Sequence, residues 1–359
     1  MISMKNKNGV RIKDVAEKAK VSTATVSHVI NKTRYVSEEI SKKVNEVMKE
    51  LNYQPNSAAR SLRSSRTNTI GFIIPLKRED TSKSFFMHIA EGIEEKLKSK
   101  GYNLIFSNSK EDPEQELNLI KMFNTQVDGL ILAPTNEDFK NIKDTVDSNF
   151  PIVMIDRLPI GYDGDYVLVD NFQGTYEGVT DLIQSGYNNI GFLSSGLGIT
   201  TSIEKFEAFR VGIKNDNIYF NPNNERFEAY KAALSNNKVS FNPNYVLFGE
   251  SSFQSGYDLT NQLISKGIDA LFIANNIMTM GSILCIQEQK MKIPNDIAVI
   301  CYDNYDWTEI TTPPLSAIKQ PAFDIGVRAA ESILNRIKNP NSNWDQIQLK
   351  TENLKRSSY

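Results

Sequence analysis

Apolar residues recur at helical spacing through the first fifty residues. Ile12, Val15, Ala16 and Ala19 share one face and predict a helix that closes near Lys20. Ser22 is a capping residue type, and Val26, Val29 and Ile30 behind it predict a second short helix over 23–30. Ser37 opens a third, which runs to Leu51 with Ile40, Val44, Val47 and Met48 on one stripe. Glu38 and Glu39 suit the dipole at its start. Pro55 stops regular helix, and residues 56–64 predict a short, weak one.

From Asn68 onward the pattern changes to strands alternating with helices. Apolar strand-like runs lie at 70–75, 102–107, 127–134, 152–157, 190–194, 245–248, 271–274 and 297–302. Helical periods separate most of them, at 87–100, 114–123, 174–184 and 253–266. This alternation predicts parallel sheets with helices on both faces. About 290 residues exceed what one such sheet holds, so two α/β lobes with a cleft between them are expected. The charge-free run 270–287 carries Asn275, Asn276, Thr279, Ser282 and Gln287, and reads as a buried strand and helix rather than a membrane span.

Residues 202–222 and 223–243 form a gapless repeat with eight of 21 positions identical, among them Glu204/Glu225, Phe206/Phe227 and Ala208/Ala229. Two copies are too few for a solenoid, so the repeat reads as a duplicated helix-plus-turn.

Composition narrows the class. With 40% hydrophobic and 23% charged residues in 359, the chain is that of a globular protein. The start, MISMKNKNGVRIKD, lacks the apolar stretch of a signal peptide, which predicts a cytoplasmic protein. Cys285 and Cys301 sit in apolar surroundings and read as buried thiols. His28 and His88 are the only histidines, which argues against a His-rich metal centre. The net charge of −2 hides an asymmetry: residues 1–66 hold 14 basic and 6 acidic residues (+8), and the remainder 27 and 37 (−10). A basic head on an acidic body suits a polyanion-binding module attached to a body that does not itself cling to DNA. No GxGxxG, P-loop or GxSxG is present, and the glycine pair in SSGLGIT is too sparse to stand for one, so neither enzyme activity nor a cofactor is expected.

Two short helices joined by a tight turn place the second where its N-terminal end can enter a major groove. VRIKDVAEKAKVSTATVSHVINKTRYVSEE followed by LNYQPNSAARSL closely resembles the head of the LacI/GalR family of transcriptional regulators, and the resemblance continues to Arg356. It implies that Thr23, Ala24 and His28 read bases while Ser22, Thr25, Ser27 and Asn31 hold phosphates, with Tyr53 and Asn56 also on the DNA side. It further implies that PNSAARSL is a hinge helix that folds on the operator, with Leu62 wedged into a base step beside Ala59. Such a wedge costs unstacking energy and gains a bent duplex with more contact, and so short a helix is unstable until DNA supports it.

The body segments TIGFIIP, VDGLILAP, PIVMIDR, VLVDN, GYNNIGFLSS, DALFIANNIMTMG, IPNDIAVICYDN and PPLSAIKQPAFDIG carry the resemblance onward. The family's body is similar to periplasmic sugar-binding proteins, which implies a small effector in the cleft. Phe85 and Phe86 would flank it, and Asp156, Arg157, Asp170, Thr201, Asn275, Asp303 and Gln320 would supply polar contacts. The family also has an effector-binding Arg three residues before a small residue, for which Lys205 and Arg226 compete. Spacing from the strand at Ile190 favours Lys205, whereas retention of Arg and spacing to the strand at Tyr245 favour Arg226, the residue expected here. Two departures stand out: Asn276 replaces an Asp common in the family, and Ser251 an aromatic.

The expectation is therefore a small all-α helix-turn-helix head on an α/β body of two parallel-sheet lobes. Residues 1–54 would form the DNA-binding domain and 55–67 the hinge and linker. Residues 68–168 with 321–344 would form the first lobe, and 169–320 with 345–359 the second. Function would be that of a sugar-responsive repressor, with a global catabolite regulator of the same family, or a sugar-binding protein without DNA function, as alternatives. Its partners would be a pseudo-palindromic operator, a sugar or sugar derivative, and a second copy of itself, because no heptad tail for a tetramer follows LKTENLKRSSY. No metal and no membrane are expected.

Overall fold

Among the described residues, valines and alanines make the buried centre of the head. The computed structural model describes residues 10–31, 34–53, 66–78, 81–196 and 222–359, and the chain divides into two units between Thr67 and Asn68. In the first, α1 (Ile12–Ala19), α2 (Thr23–Asn31) and α3 (Glu38–Glu50) pack Val15, Ala16, Ala19, Val26, Val44 and Val47 together. Left-handed Lys20 (φ 55°) ends α1, and its N–H returns to the last carbonyls of that helix. Ser22 Oγ accepts the Thr25 N–H at 3.0 Å, so α2 starts at the predicted cap. Ser37 stands at the start of α3 but makes no side-chain capping bond. Ile40 also departs from expectation: at 36% exposed it lies off the core stripe, which begins at Val44.

The second unit contains both lobes. In the first come β1 (Thr69–Ile74), α4 (Lys83–Lys98), β2 (Asn103–Asn108), α5 (Pro113–Gln126), β3 (Gly129–Leu132), α6 (Phe139–Lys143), β4 (Ile152–Ile155) and β5 (Asp165–Val169). The chain then crosses to α7 (Asn171–Gln184), β6 (Ile190–Ser195), α8 (Pro222–Asn236), β7 (Val246–Gly249), α9 (Phe253–Ser265) and β8 (Ala270–Ile273). The second lobe continues with α10 (Asn276–Glu288), β9 (Ala298–Tyr302), α11 (Asp306–Glu309) and β10 (Ser316–Lys319). It returns to the first lobe for α12 (Ala322–Lys338) and β11 (Gln346–Leu349), and ends in the second with β12 (Glu352–Leu354).

The sheet orders are β11-β5-β4-β3-β1-β2 and β12-β10-β9-β8-β6-β7. All neighbours are parallel except β10 and β12. The two orders correspond strand for strand. In each, the chain reverses direction beside the first strand, and parallel sheets bind ligands at the carboxyl ends of strands around such a reversal.

Pairing of β11 with β5, Leu349 opposite Val169, corrects the lobe boundary expected at 344/345. Residues 346–349 belong to the first lobe, and the last crossing falls at Lys350 and Thr351. The cause is chemical: QIQL, at an outer strand, is half polar and lacks the apolar run that marked its neighbours.

Helices α4 and α12 touch backbone to backbone. A Cβ on Gly92 would stand 2.1 Å from the Phe323 carbonyl oxygen, and one on Gly326 2.0 Å from that of Ile89. This close crossing fixes the first turns of both helices, with Phe85 and Phe323, at the cavity described below.

Candidate functional site

In the head, Val26 is wholly buried and holds one side of α2 to the core. Ser22, Thr23 and Ala24 are exposed around the first turn, and Thr25, Ser27 and His28 are half-buried. Ser22 Oγ lies 2.9 Å from Thr25 Oγ1, so two hydroxyls gather at the positive end of the helix dipole. Free amides and hydroxyls there suit phosphate oxygens. Tyr53 packs half-buried against the head core. Asn31 ends α2; its side chain, together with Asn56, Ala59, Leu62 and most of the expected hinge, lies outside the described residues.

In the body, the ends of β5, β8 and β9 converge on Arg226. This side chain, 7% exposed, rises from the second turn of α8. Its Nε and Nη2 donate to Asn171 Oδ1 at 3.1 and 2.9 Å, and Nη1 donates to the Ala274 carbonyl at 2.8 Å. The guanidinium lies 3.5 Å over the Tyr302 ring, whose hydroxyl also donates to Asn171 Oδ1 at 2.9 Å. Each contact directly adjoins an expected site residue: Asn171 follows Asp170, Ala274 precedes Asn275, and Tyr302 precedes Asp303. Sequence had flagged the neighbours but missed Asn171 and Tyr302, which sit in the same VLVDN and CYDN segments. Lys205 and Thr201 lie outside the described residues.

Around this knot the expected residues divide. Phe85, Asp303 and Gln320 line a cavity of about 510 Å³ between the lobes, with His88, Lys319 and Phe323 also on its wall. Asp303 takes a left-handed backbone (φ 72°), and its Oδ1 accepts Gln320 Nε2 at 2.6 Å. Phe86 does not flank the cavity. It is 4% exposed in the first lobe's core, with its ring edge-on to Phe85 at 5.2 Å, because the residue after Phe85 on a helix turns inward. Asp156 (φ 66°) pairs with its neighbour Arg157 at 3.0 Å. Asp170 Oδ1 caps α7 by accepting the Gln173 N–H, and Asn275 Oδ1 caps α10 by accepting that of Met278. Asn275 Nδ2 donates to Ser251 Oγ, so the serine in the aromatic's place has a polar partner.

Burial tunes the titratable groups here. It pushes the Glu225 carboxyl up to about 7; hydrogen bonds with Asn171 and the charge of Arg226 oppose the shift, and Asp170 adds to it. Burial also raises the Tyr302 hydroxyl, and it lifts the Cys301 thiol to about 12 with help from Asp303, so that thiol stays protonated. Among the described residues no helix is long and apolar enough to cross a membrane.

Comparison with known proteins agrees across both units. The family profile described as bacterial regulatory proteins, lacI family, matches residues 11–56. That for periplasmic binding proteins and the sugar binding domain of the LacI family matches residues 67–357. The HTH-type transcriptional repressor PurR of Histophilus somni (strain 129Pt) is 31% identical over 352 residues, which is 97% of this chain and 98% of its own length. The ribose operon repressor of Escherichia coli (strain K12) is 32% identical over 352 residues, covering 97% and 99%. Among solved structures, the lac repressor dimer bound to operator and the anti-inducer ONPF has a TM-score of 0.80 at 24% identity over 98% of this chain and 99% of its own, a likeness of fold.

Proposed function

The chain belongs to the LacI family of bacterial regulatory proteins, and from that premise we propose a cytoplasmic repressor that binds a pseudo-palindromic operator as a homodimer and is controlled by a sugar or sugar derivative between its lobes. Ser22, Thr25, Ser27 and Asn31 hold phosphates, and Thr23, Ala24 and His28 meet base edges. Tyr53 and Asn56 support the DNA side, while Ala59 and Leu62 enter the minor groove. Phe85, Asp303 and Gln320 form the near wall of the effector site, and Asp156, Arg157, Asp170, Thr201, Arg226 and Asn275 its polar surround.

Arg226 is the observation that carries the effector half of this reading. A buried guanidinium held by Asn171, Ala274 and Tyr302 locks three segments of the second lobe together directly beside Asp170, Asn275 and Asp303, and Asp303 stands on the wall of the cavity between the lobes. Binding that favours one lobe arrangement shifts the population and with it operator affinity.

The test is an anisotropy titration of the full chain on an operator selected from genomic fragments, with and without a sugar panel. Equal binding to operator and random DNA sinks the repressor reading, and an operator affinity that no small molecule changes sinks effector control.

A further inference from the structure

Helix α8 is built from the second copy of the sequence repeat, and the first copy carries its burial pattern again. The buried residues of α8 are Arg226, Phe227, Ala229, Tyr230, Ala233 and Leu234. In the first copy Lys205, Phe206, Ala208, Phe209, Gly212 and Ile213 stand at the matching positions, a cation followed by apolar or small residues. The outer face repeats as well: Glu228 and Lys231, paired at 2.7 Å, have Glu207 and Arg210 as counterparts. Beyond the helix, Val239 packs on the second lobe's core, and the Phe241 ring centre lies 6.4 Å from those of Phe227 and Tyr230. Ile218 and Phe220 match these two. Cores accept hydrophobic exchanges that keep volume and patterning, so a segment with this pattern suits the neighbours of α8.

Connectivity permits the substitution. Asn223 Nδ2 donates to Ser195 Oγ at 3.0 Å and to the Gly196 carbonyl at 3.1 Å, so α8 begins where β6 ends. The 25 residues 197–221 therefore connect two points that lie side by side, and the six residues 237–242 lead from α8 to Pro243. With 201–215 in the helix, four residues precede it and 27 follow it. Four extended residues reach roughly 13 Å. The connections total 31 residues in either register, and closure cost grows only slowly with length, so the loops favour neither.

Side chains decide instead, in favour of the second copy. Arg226 serves Asn171 and Ala274 through a planar fork that a lysine lacks. Tyr230 Oη donates to the Ile190 carbonyl at 2.8 Å, a bond that Phe209 has no hydroxyl to make. Gly212 is also a poorer helix former than Ala233. The first copy is thus the weaker competitor for one place.

We propose that residues 201–215 are a second occupant of the place held by α8, and that the two copies exchange there, with Lys205 replacing Arg226. In the exchanged form the ends of β5, β8 and β9 lose the fork that ties them, directly beside Asp170, Asn275 and Asp303. The chain carries its own competitor for one part of its second lobe. This rests on the fold of that lobe and not on what the cleft binds.

Two deletions and two sets of substitutions test it. Removing 202–222 leaves the second copy alone, and removing 223–243 leaves the first. Urea should unfold both chains cooperatively, the first-copy chain at the lower midpoint. A first-copy chain without a cooperative transition overturns the proposal, because the first copy then cannot fill the place. Hydrogen exchange of the full chain, read by peptide mass, follows the swap itself. Phe206→Asp bars the first copy from a buried apolar position. It should slow exchange of the α8 amides at least about threefold, since the competitor that releases α8 is disabled. Arg226→Lys with Tyr230→Phe weakens the second copy, and should speed α8 exchange while protecting amides of 204–213. An α8 that exchanges in Phe206→Asp at the parent's rate or faster overturns the proposal however the deletions behave. So does a folded double variant in which 204–213 gains no protection; if that variant does not fold, Phe206→Asp still decides.

Discussion

Asp156 and Asp303 occupy the same place in the two lobes. Each is the first residue beyond the fourth strand of its lobe, β4 or β9, and each has a left-handed backbone, with φ of 66° and 72°. Side chains other than Gly resist that conformation at a cost of about 1–2 kcal/mol, which Asp and Asn offset by bonding locally. Asp156 bonds to Arg157, and Asp303 receives Gln320 from the strand-end beside it. The turn thus aims one carboxylate per lobe from corresponding strand ends, with the second on the wall of the cavity.

Asp303→Asn and Asp303→Ala should therefore separate backbone from ligand. Asn tolerates the left-handed turn and should keep the stability of the parent, whereas Ala should cost about 1 kcal/mol in urea unfolding. Both should retain operator binding and lose at least roughly tenfold in effector affinity, since a carboxylate acceptor is removed. If Asp303→Ala responds at the parent's effector concentration, the residue is structural.

Arg226→Lys should be far from conservative. A lysine has no planar fork to serve Asn171 and Ala274 together, and it leaves a buried carbonyl without its donor. We expect a loss of about 2–3 kcal/mol in stability, and no effector response. A variant as stable as the parent would mean that the knot does not depend on the guanidinium.

The sequence made the scaffold legible where chemistry was local. Ser22 announced the start of α2, and the apolar runs located eight strands, because buried parallel strands are hydrophobic throughout; β2, an exposed edge strand, showed through its Leu104–Phe106 run. Strands β10 (SAIK), β11 (QIQL) and β12 (ENL) hold at most two consecutive apolar residues, so no apolar run gave them away, whereas β5 carries the run Tyr166–Val169 and was open to the same reading as its neighbours. The duplicated segment left Lys205 and Arg226 in competition, and the place of Arg226 depends on Asn171, Ala274 and Tyr302, distant positions that no local period reports. Phe86 shows the converse limit. A pair of adjacent aromatics does not say which one the helix turns into the core.

DNA binding should fall steeply with salt, because residues 1–66 carry +8. Two heads making roughly 6–10 phosphate contacts should lose about 10³–10⁵ in affinity between 50 and 200 mM salt. Leu62→Ala should weaken operator binding much more than binding to random DNA, since it removes an apolar wedge and no charge. Equal losses on both DNAs would contradict the hinge assignment.

Thr81 and Asn276 offer a test of the coupling itself. The 2.7 Å bond from Asn276 Nδ2 to Thr81 Oγ1 ties the loop before α4 in the first lobe to the start of α10 in the second. Neither residue is on the cavity wall. Thr81→Val removes this tie at a cost of about 0.5–1.5 kcal/mol, which destabilises the lobe arrangement that contains it and shifts the balance between arrangements by roughly two- to tenfold. Operator affinity and effector midpoint are linked through that one balance, so both must move. If the effector is an inducer, one tightens as the other weakens; if it is a co-repressor, both shift in the same direction. Titrating operator at several effector concentrations with the parent and Thr81→Val measures the two shifts together. A change in effector midpoint with operator affinity fixed, or the reverse, would show that lobe rearrangement is not what connects the cleft to the DNA.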